Sequence, residues 1–200
     1  MTKIKLCGLS RTCDIEVANE LNPEYIGFVF APKSKRYVSP EKAVRLKELL
    51  CSDIKAVGVF VNESLKTVAA LLKSGVIDMA QLHGNEGEEY IRKLRTLTGK
   101  PVIKAFRVGS EQDVGAAHAS TADYVLLDSG AGTGTVFDWN LISKMDRPYF
   151  LAGGLDAENV REALQELNPF AVDVSSGVET EGIKDKIKMA EFVAAVRGER

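Results

Sequence analysis

A thiol, a guanidinium, an imidazole and a carboxyl group stand where short apolar runs give way to small or polar residues. Cys7 ends the run Ile4 to Cys7, Arg36 follows Tyr25 to Phe30, His83 follows Val76 to Leu82, and Asp128 follows Asp123 to Leu127. A thiolate or an imidazole can take a proton, a carboxyl group can give one, and a guanidinium fork can hold a planar anion. Two further runs, Tyr149 to Ala152 and Phe170 to Val174, break off into Gly153-Gly154 and Ser175-Ser176-Gly177. Turns without bulky side chains let backbone N–H groups approach a ligand closely, and serine hydroxyls stand beside them, which suits a phosphate group. Each feature also has a plainer reading. Free cysteine is commonly a small core residue, Asp128 could cap a turn, Arg36 could be a solvated charge beside Lys33 and Lys35, and the Gly and Ser pairs could be ordinary turns. The functional reading gains because a base, an acid and a phosphate cradle would face one opening.

The elements between these residues say how they would meet. Tyr149 to Ala152 and Phe170 to Val174 flank a helix in which Val160, Ala163, Leu164 and Leu167 share one face, with Asp156 as its expected N-cap and Asn168-Pro169 as its stop. Such a strand-helix-strand unit requires parallel pairing and a right-handed crossover. The same alternation runs through the chain. Strands are expected at Ile4 to Cys7, Tyr25 to Phe30, Ile54 to Val61, Val76 to Leu82, Pro101 to Phe106 and Asp123 to Leu127. Helices are expected at Cys13 to Leu21, from Ser39-Pro40-Glu41, from Ser64, at Glu86 to Leu97, at Ser110 to Ala119 and, after a glycine-rich loop from Ser129 to Thr135, from Asp138; a final helix carries Met189, Phe192, Val193 and Val196 on one side. About eight strands alternating with about eight helices predict an α/β (β/α)₈ barrel, with a doubly wound open sheet as the alternative built from the same units. Similar short apolar strands, and the lack of a GxGxxG turn after the first, favour closure. In a barrel the strand C-termini carry the active site, where the candidate residues stand.

Composition narrows the partners. The 200 residues are 45% hydrophobic and 27% charged with a net charge of −2, the balance of a soluble globular chain and not of a nucleic-acid binder. We expect one domain over residues 1–200, no membrane-spanning run, and free thiols at Cys7, Cys13 and Cys51 in a reducing cytoplasm.

KLCGLS at Lys5 to Ser10, GFVFAPKSKRYVSP at Gly27 to Pro40, QLHG at Gln81 to Gly84, LLDSGAGTGTVFDW at Leu126 to Trp139, LAGGLDAENV at Leu151 to Val160 and FAVDVSSGVE at Phe170 to Glu179 closely resemble the phosphoribosylanthranilate isomerase family. The resemblance implies a (β/α)₈ barrel of tryptophan biosynthesis that converts N-(5-phosphoribosyl)anthranilate to 1-(2-carboxyphenylamino)-1-deoxyribulose 5-phosphate by an Amadori rearrangement. It implies neither cofactor nor metal, a small phosphorylated substrate as partner, no nucleic acid or membrane partner, and a monomer or homodimer. Residue by residue it makes Cys7 the general base and Asp128 the general acid, assigns the substrate's carboxylate to Arg36 and its phosphate to Gly153, Gly154, Ser175, Ser176 and Gly177, and adds His83 and Asp173 to the pocket. The base would need a lowered pKa and the acid a raised one; Leu126, Leu127 and a closed pocket could desolvate Asp128.

Lys5 shares a strand face with Cys7 and could stabilise its thiolate, or could pair with a deeper carboxylate such as Asp173. Lys104 must find a carboxylate and is read as structural, and His118 as a surface residue. Two departures from the family pattern stand out. SKR replaces the commoner SPR before Tyr37, leaving the Arg36 loop one proline less rigid, and Thr135-Val136 stands where Lys-Thr is common. The competing functions are the sister Amadori reaction of histidine biosynthesis, which needs two phosphate sites, and a silent sugar-phosphate binder.

Overall fold

Alternation along each strand sorts the side chains into two cores. In the computed structural model, which describes residues 1–128, 139–143 and 145–198, Ile4 and Leu6 of the first strand point out towards the helices while Lys5 and Cys7 point in. The strands are β1 Lys3–Cys7, β2 Tyr25–Val29, β3 Lys55–Phe60, β4 Met79–Leu82, β5 Val102–Arg107, β6 Tyr124–Asp128, β7 Tyr149–Ala152 and β8 Ala171–Val174. All neighbours are parallel, and β8 returns to β1 with Lys5 opposite Asp173, closing the barrel. No edge is left unpaired, which removes the template that an open sheet would offer to another chain.

Seven of the eight expected helices are present among the described residues, two of them starting later than expected. They are α1 Thr12–Leu21, α2 Pro40–Leu49, α3 Leu65–Lys73, α4 Glu88–Thr98, α5 Glu111–Ala119, α6 Val160–Glu166 and α7 Lys186–Arg197. Ser39, Ser64, Ser110 and Asp185 cap α2, α3, α5 and α7 by accepting backbone N–H bonds, each satisfying donors that the first turn leaves open. Asp156 does not cap α6. It accepts the N–H groups of Glu158 and Asn159 in a preceding turn, while the Asn159 side chain reaches back to Asp156 N and Gly154 O, so the helix starts one turn later. Glu86 likewise stays outside α4, its carboxylate accepting from Asn62 N, Gly84 N and the Lys104 ammonium. Between β6 and β7 the described residues hold a 3₁₀ turn, Trp139–Leu141, and no α-helix; the glycine-rich loop and Asp138 lie outside the described residues.

The outer core joins barrel and helices through Leu6, Ile15, Phe28, Leu46, Phe60, Leu72, Leu94, Val160 and Phe192, among others. Each such fully buried side chain contributes about 1.5–3 kcal/mol from area removed from water. The inner core lies within the barrel. At the strand N-termini it is aromatic: Tyr25, Tyr124, Phe150 and Phe170 meet at centroid distances of 4.8–5.8 Å, with the Lys3 ammonium 4.3 Å above the Phe170 ring. At the other end the interior residues shrink to Cys7, Val29, Val59 and Ala152, and the barrel opens. Among the described residues no helix is long and apolar enough to cross a membrane.

Candidate active site

Small residues at the strand C-termini leave a cavity of about 360 Å³. Of the ten residues expected at the site, nine line it: Cys7, Arg36, His83, Asp128, Gly153, Gly154, Asp173, Ser175 and Ser176. Gly177 does not. A Cβ there would stand 1.9 Å from the Leu155 carbonyl oxygen, so this glycine lets the loop after β8 rest on the loop after β7. Among the described residues, the N–H groups of Gly154, Ser175 and Ser176 donate to no backbone carbonyl outside the regular elements.

Cys7 ends β1 beside Gly27 of β2, where a Cβ would come 2.6 Å from the thiol sulfur. The glycine in the middle of YIGFVF therefore makes the space that the Cys7 side chain fills. The Ser175 hydroxyl donates to the Cys7 carbonyl at 3.2 Å, tying the base of one turn to the strand that carries the thiol. One pleat below, Lys5, at 0% exposure, donates to both Asp173 oxygens at 2.9 Å. Burial works against the Lys5 ammonium, but Asp173 and then Cys7 outweigh it and hold its pKa above the ordinary value. Lys5 therefore pairs with Asp173, the plainer of the two expectations, and its charge also acts on Cys7. The net effect at the thiol is opposite to a lowered pKa. Burial pushes the Cys7 thiol up, and the charges of Lys5 and Lys184 only partly offset it. Burial likewise pushes the Asp173 carboxyl up against the pull of Lys5.

Arg36 is no loose surface charge. Its Nε and Nη2 donate to the two oxygens of Glu179 at 2.6 and 2.7 Å, a bidentate pair, and Lys184 Nζ joins the same carboxylate at 2.6 Å. Lys184 also donates to the Ser175 carbonyl at 2.8 Å. Glu179 and Lys184 sit on a short antiparallel hairpin after β8, β9 Glu179–Thr180 and β10 Ile183–Lys184. Burial alone would raise the Glu179 carboxyl, but hydrogen bonds from Arg36 and Lys184 reverse this and hold it at about 2. The Arg36 loop is tied further by Ser34, whose hydroxyl accepts from Arg36 N at 3.1 Å. These contacts hold the Arg36 loop at both its backbone and its side chain. Among the described residues Nη1 makes no hydrogen bond, so the Nη1/Nη2 edge has the donors a planar anion would need.

On the opposite wall His83 Nε2 stands 3.5 Å from Asp128 Oδ2, and His83 Nδ1 is 3.1 Å from the side-chain amide nitrogen of Gln81. Of the two leucines of β6, Leu126 points into the barrel beside Asp128, whereas Leu127 belongs to the outer core. Lys104 faces the helix layer, on Gly84 O at 2.5 Å and Glu86 at 3.4 Å, and His118 pairs with Asp146 at the surface. Among the described residues no three His, Cys, Asp or Glu side chains gather to hold a metal ion. Glu179, Lys184, Gln81 and Gly27 escaped the sequence reading. A two-residue hairpin has no periodicity to find, and the roles of Gln81 and Gly27 appear only against the neighbours that face them.

Comparison with known proteins agrees with this geometry. Residues 4–195 match the family model described as N-(5'phosphoribosyl)anthranilate (PRA) isomerase. The N-(5'-phosphoribosyl)anthranilate isomerase of Endomicrobium trichonymphae is 45% identical over 202 residues, 98% of this chain and 99% of that protein. The crystal structure of phosphoribosyl anthranilate isomerase from Thermotoga maritima superposes with a TM-score of 0.92 at 39% identity, covering 99% of this chain and 100% of its own. A phosphoribosyl anthranilate isomerase solved in complex with reduced 1-(o-carboxyphenylamino)-1-deoxyribulose 5-phosphate, also 39% identical with the same coverage, gives 0.89. With matching order of motifs, a closed eight-stranded barrel and likeness over nearly its whole length, the chain belongs to the N-(5'-phosphoribosyl)anthranilate isomerase family.

Proposed function

We propose that this isomerase converts N-(5-phosphoribosyl)anthranilate to 1-(2-carboxyphenylamino)-1-deoxyribulose 5-phosphate in tryptophan biosynthesis, with Cys7 as general base and Asp128 as general acid. The observation that carries this is the shared cavity. Cys7 and Asp128 line it together, with the glycine and serine turns after β7 and β8 on one side and the Arg36 guanidinium on another. A substrate with a phosphate at one end and an aromatic carboxylate at the other could engage both. The amides of Gly153, Gly154, Ser175 and Ser176 would surround the phosphate. The outer edge of Arg36, its other edge occupied by Glu179, would take the carboxylate in two hydrogen bonds.

The reaction then needs two proton transfers. Asp128 gives its proton to the ribose ring oxygen; the C1–O bond breaks as the anilino nitrogen lone pair forms a C=N bond, leaving an open-chain protonated Schiff base. The Cys7 thiolate removes the proton from C2, and the C2–H electron pair forms the C1=C2 bond as the C=N electrons return to nitrogen. The resulting enolamine tautomerises to the ketone. Since burial favours the neutral thiol, the base works through its thiolate fraction, which Lys5 and Lys184 enlarge. His83 and Asp173 would shape the walls beside the sugar. The histidine-pathway substrate fits less well, because it would need a second phosphate site beside the one formed by the turns after β7 and β8.

The test is turnover of freshly generated substrate, followed by loss of anthranilate fluorescence without added metal, beside Asp128→Asn. Wild-type turnover that the variant loses by about 10²–10⁴-fold is the expected result. An inactive wild type, or an Asp128→Asn as fast as wild type, overturns the assignment.

A further inference from the structure

Among the described residues Gln81 is the one side chain of the cavity wall with a buried polar atom that makes no hydrogen bond. It is 1% exposed, on the inward face of β4, and among the described residues its Oε1 has no hydrogen-bond partner. A buried unpaired amide oxygen costs free energy that an apolar residue of similar length, such as methionine, would not. The other end of the amide explains its presence. Gln81 Nε2 lies 3.1 Å from His83 Nδ1. With the amide nitrogen on this side, its NH₂ donates to a bare Nδ1, and a neutral imidazole then carries its proton on Nε2. That nitrogen faces Asp128 Oδ2 at 3.5 Å. The His83 backbone is pinned by its N–H to Phe60 O at 2.8 Å, so the ring is aimed from a fixed base.

We propose that Gln81 is a positioning residue: it selects the Nε2–H tautomer of His83 and so keeps a hydrogen-bond donor turned towards the Asp128 carboxylate. This rests on the role of Asp128 as the general acid. Once Asp128 has given up its proton, the carboxylate is the new charge in the site, and a fixed N–H beside it stabilises the step that opens the ribose ring. The opposite tautomer would set an imidazole lone pair against that carboxylate. Among the described residues the 38% exposed His83 ring makes no other hydrogen bond, and Asp173 acts on it through charge alone.

The tautomer can be read without turnover. The chain has two histidines, and a His118→Gln variant identifies the His83 signals. In ¹⁵N-labelled protein, at a pH where the imidazole is neutral, long-range ¹H–¹⁵N spectra should give a protonated Nε2 and a bare Nδ1. Gln81→Glu, whose carboxylate accepts from Nδ1–H, should invert the pattern and lower kcat by at least about tenfold with KM changed less than about twofold. Gln81→Met, which adds no buried charge, should give a mixture of tautomers and a smaller fall in kcat. A wild-type His83 protonated on Nδ1 would overturn the proposal, as would variants whose tautomer changes while kcat does not. Loss of the acid role itself would be seen separately, as an Asp128→Asn variant that remains active while the wild-type tautomer is unaltered.

Discussion

The two ends of the barrel interior are built from opposite materials. At the strand N-termini, four aromatic rings fill the space and the Lys3 ammonium closes over them. At the C-termini, small side chains leave a cavity, and charged groups crowd its wall in pairs: Lys5 with Asp173, Arg36 and Lys184 with Glu179, His83 facing Asp128. One end places apolar area where it stabilises most. The other keeps buried charges whose desolvation is offset only by their partners. Stability and chemistry are thus separated by two or three residues along the same strands, and Lys5–Asp173 is the seam between them.

Substitutions on either side of that seam should behave differently. Phe150→Ala, in the plug, should lose about 3–5 kcal/mol in denaturant unfolding, with KM for the substrate unchanged within the folded fraction. Nearly as large, Lys5→Met leaves the Asp173 carboxyl buried without its ammonium, a change that costs about 3–5 kcal/mol when one partner of a buried pair is removed. Unlike Phe150→Ala, it should also raise the thiol pKa, read by titrating Cys7 alkylation against pH; an unchanged titration would detach Lys5 from the chemistry. Gly27→Ala is smaller. A methyl 2.6 Å from the Cys7 sulfur must displace it, which should cost about 1–3 kcal/mol as overpacking and proportionately more in kcat than in KM.

Much of the architecture could be read from the chain because its signals are local. The period of two placed Lys5 and Cys7 on one face of the first strand, as they are found, and the Met189, Phe192, Val193 and Val196 stripe predicted the buried face of α7. The residue types at strand ends, together with the family resemblance, brought nine of ten candidates to one cavity. What could not be read depends on neighbours distant in sequence. Glu179 meets Arg36 across 143 positions. Asp156 has every local mark of a helix cap, yet the Asn159 side chain turns back on it and delays the helix. The Cys7 thiol is governed by burial, which strand-end position does not report.

The smallest expected effect concerns acid. The folded pKa of Glu179, about 2, lies below its ordinary 4.5, so the unfolded chain takes up the proton first as pH falls. The stabilisation from the Arg36–Glu179–Lys184 cluster is complete above about pH 4.5 and declines as pH falls towards about 2. Glu179→Gln should flatten that part of a plot of stability against pH and weaken substrate binding through a less fixed Arg36. A variant with the same acid slope as wild type would show that the cluster is not tuned by this carboxylate.

The central claim is that the thiol at the end of β1 takes the proton from C2. The measurement that reaches it directly compares wild type and Cys7→Ala on substrate deuterated at ribose C2, with melting curves of both proteins. The account predicts that deuterium slows the chemical step of the wild type, and that Cys7→Ala loses turnover by about 10²–10⁴-fold while melting within a few degrees of wild type. A Cys7→Ala protein that turns over substrate at near the wild-type rate would contradict it.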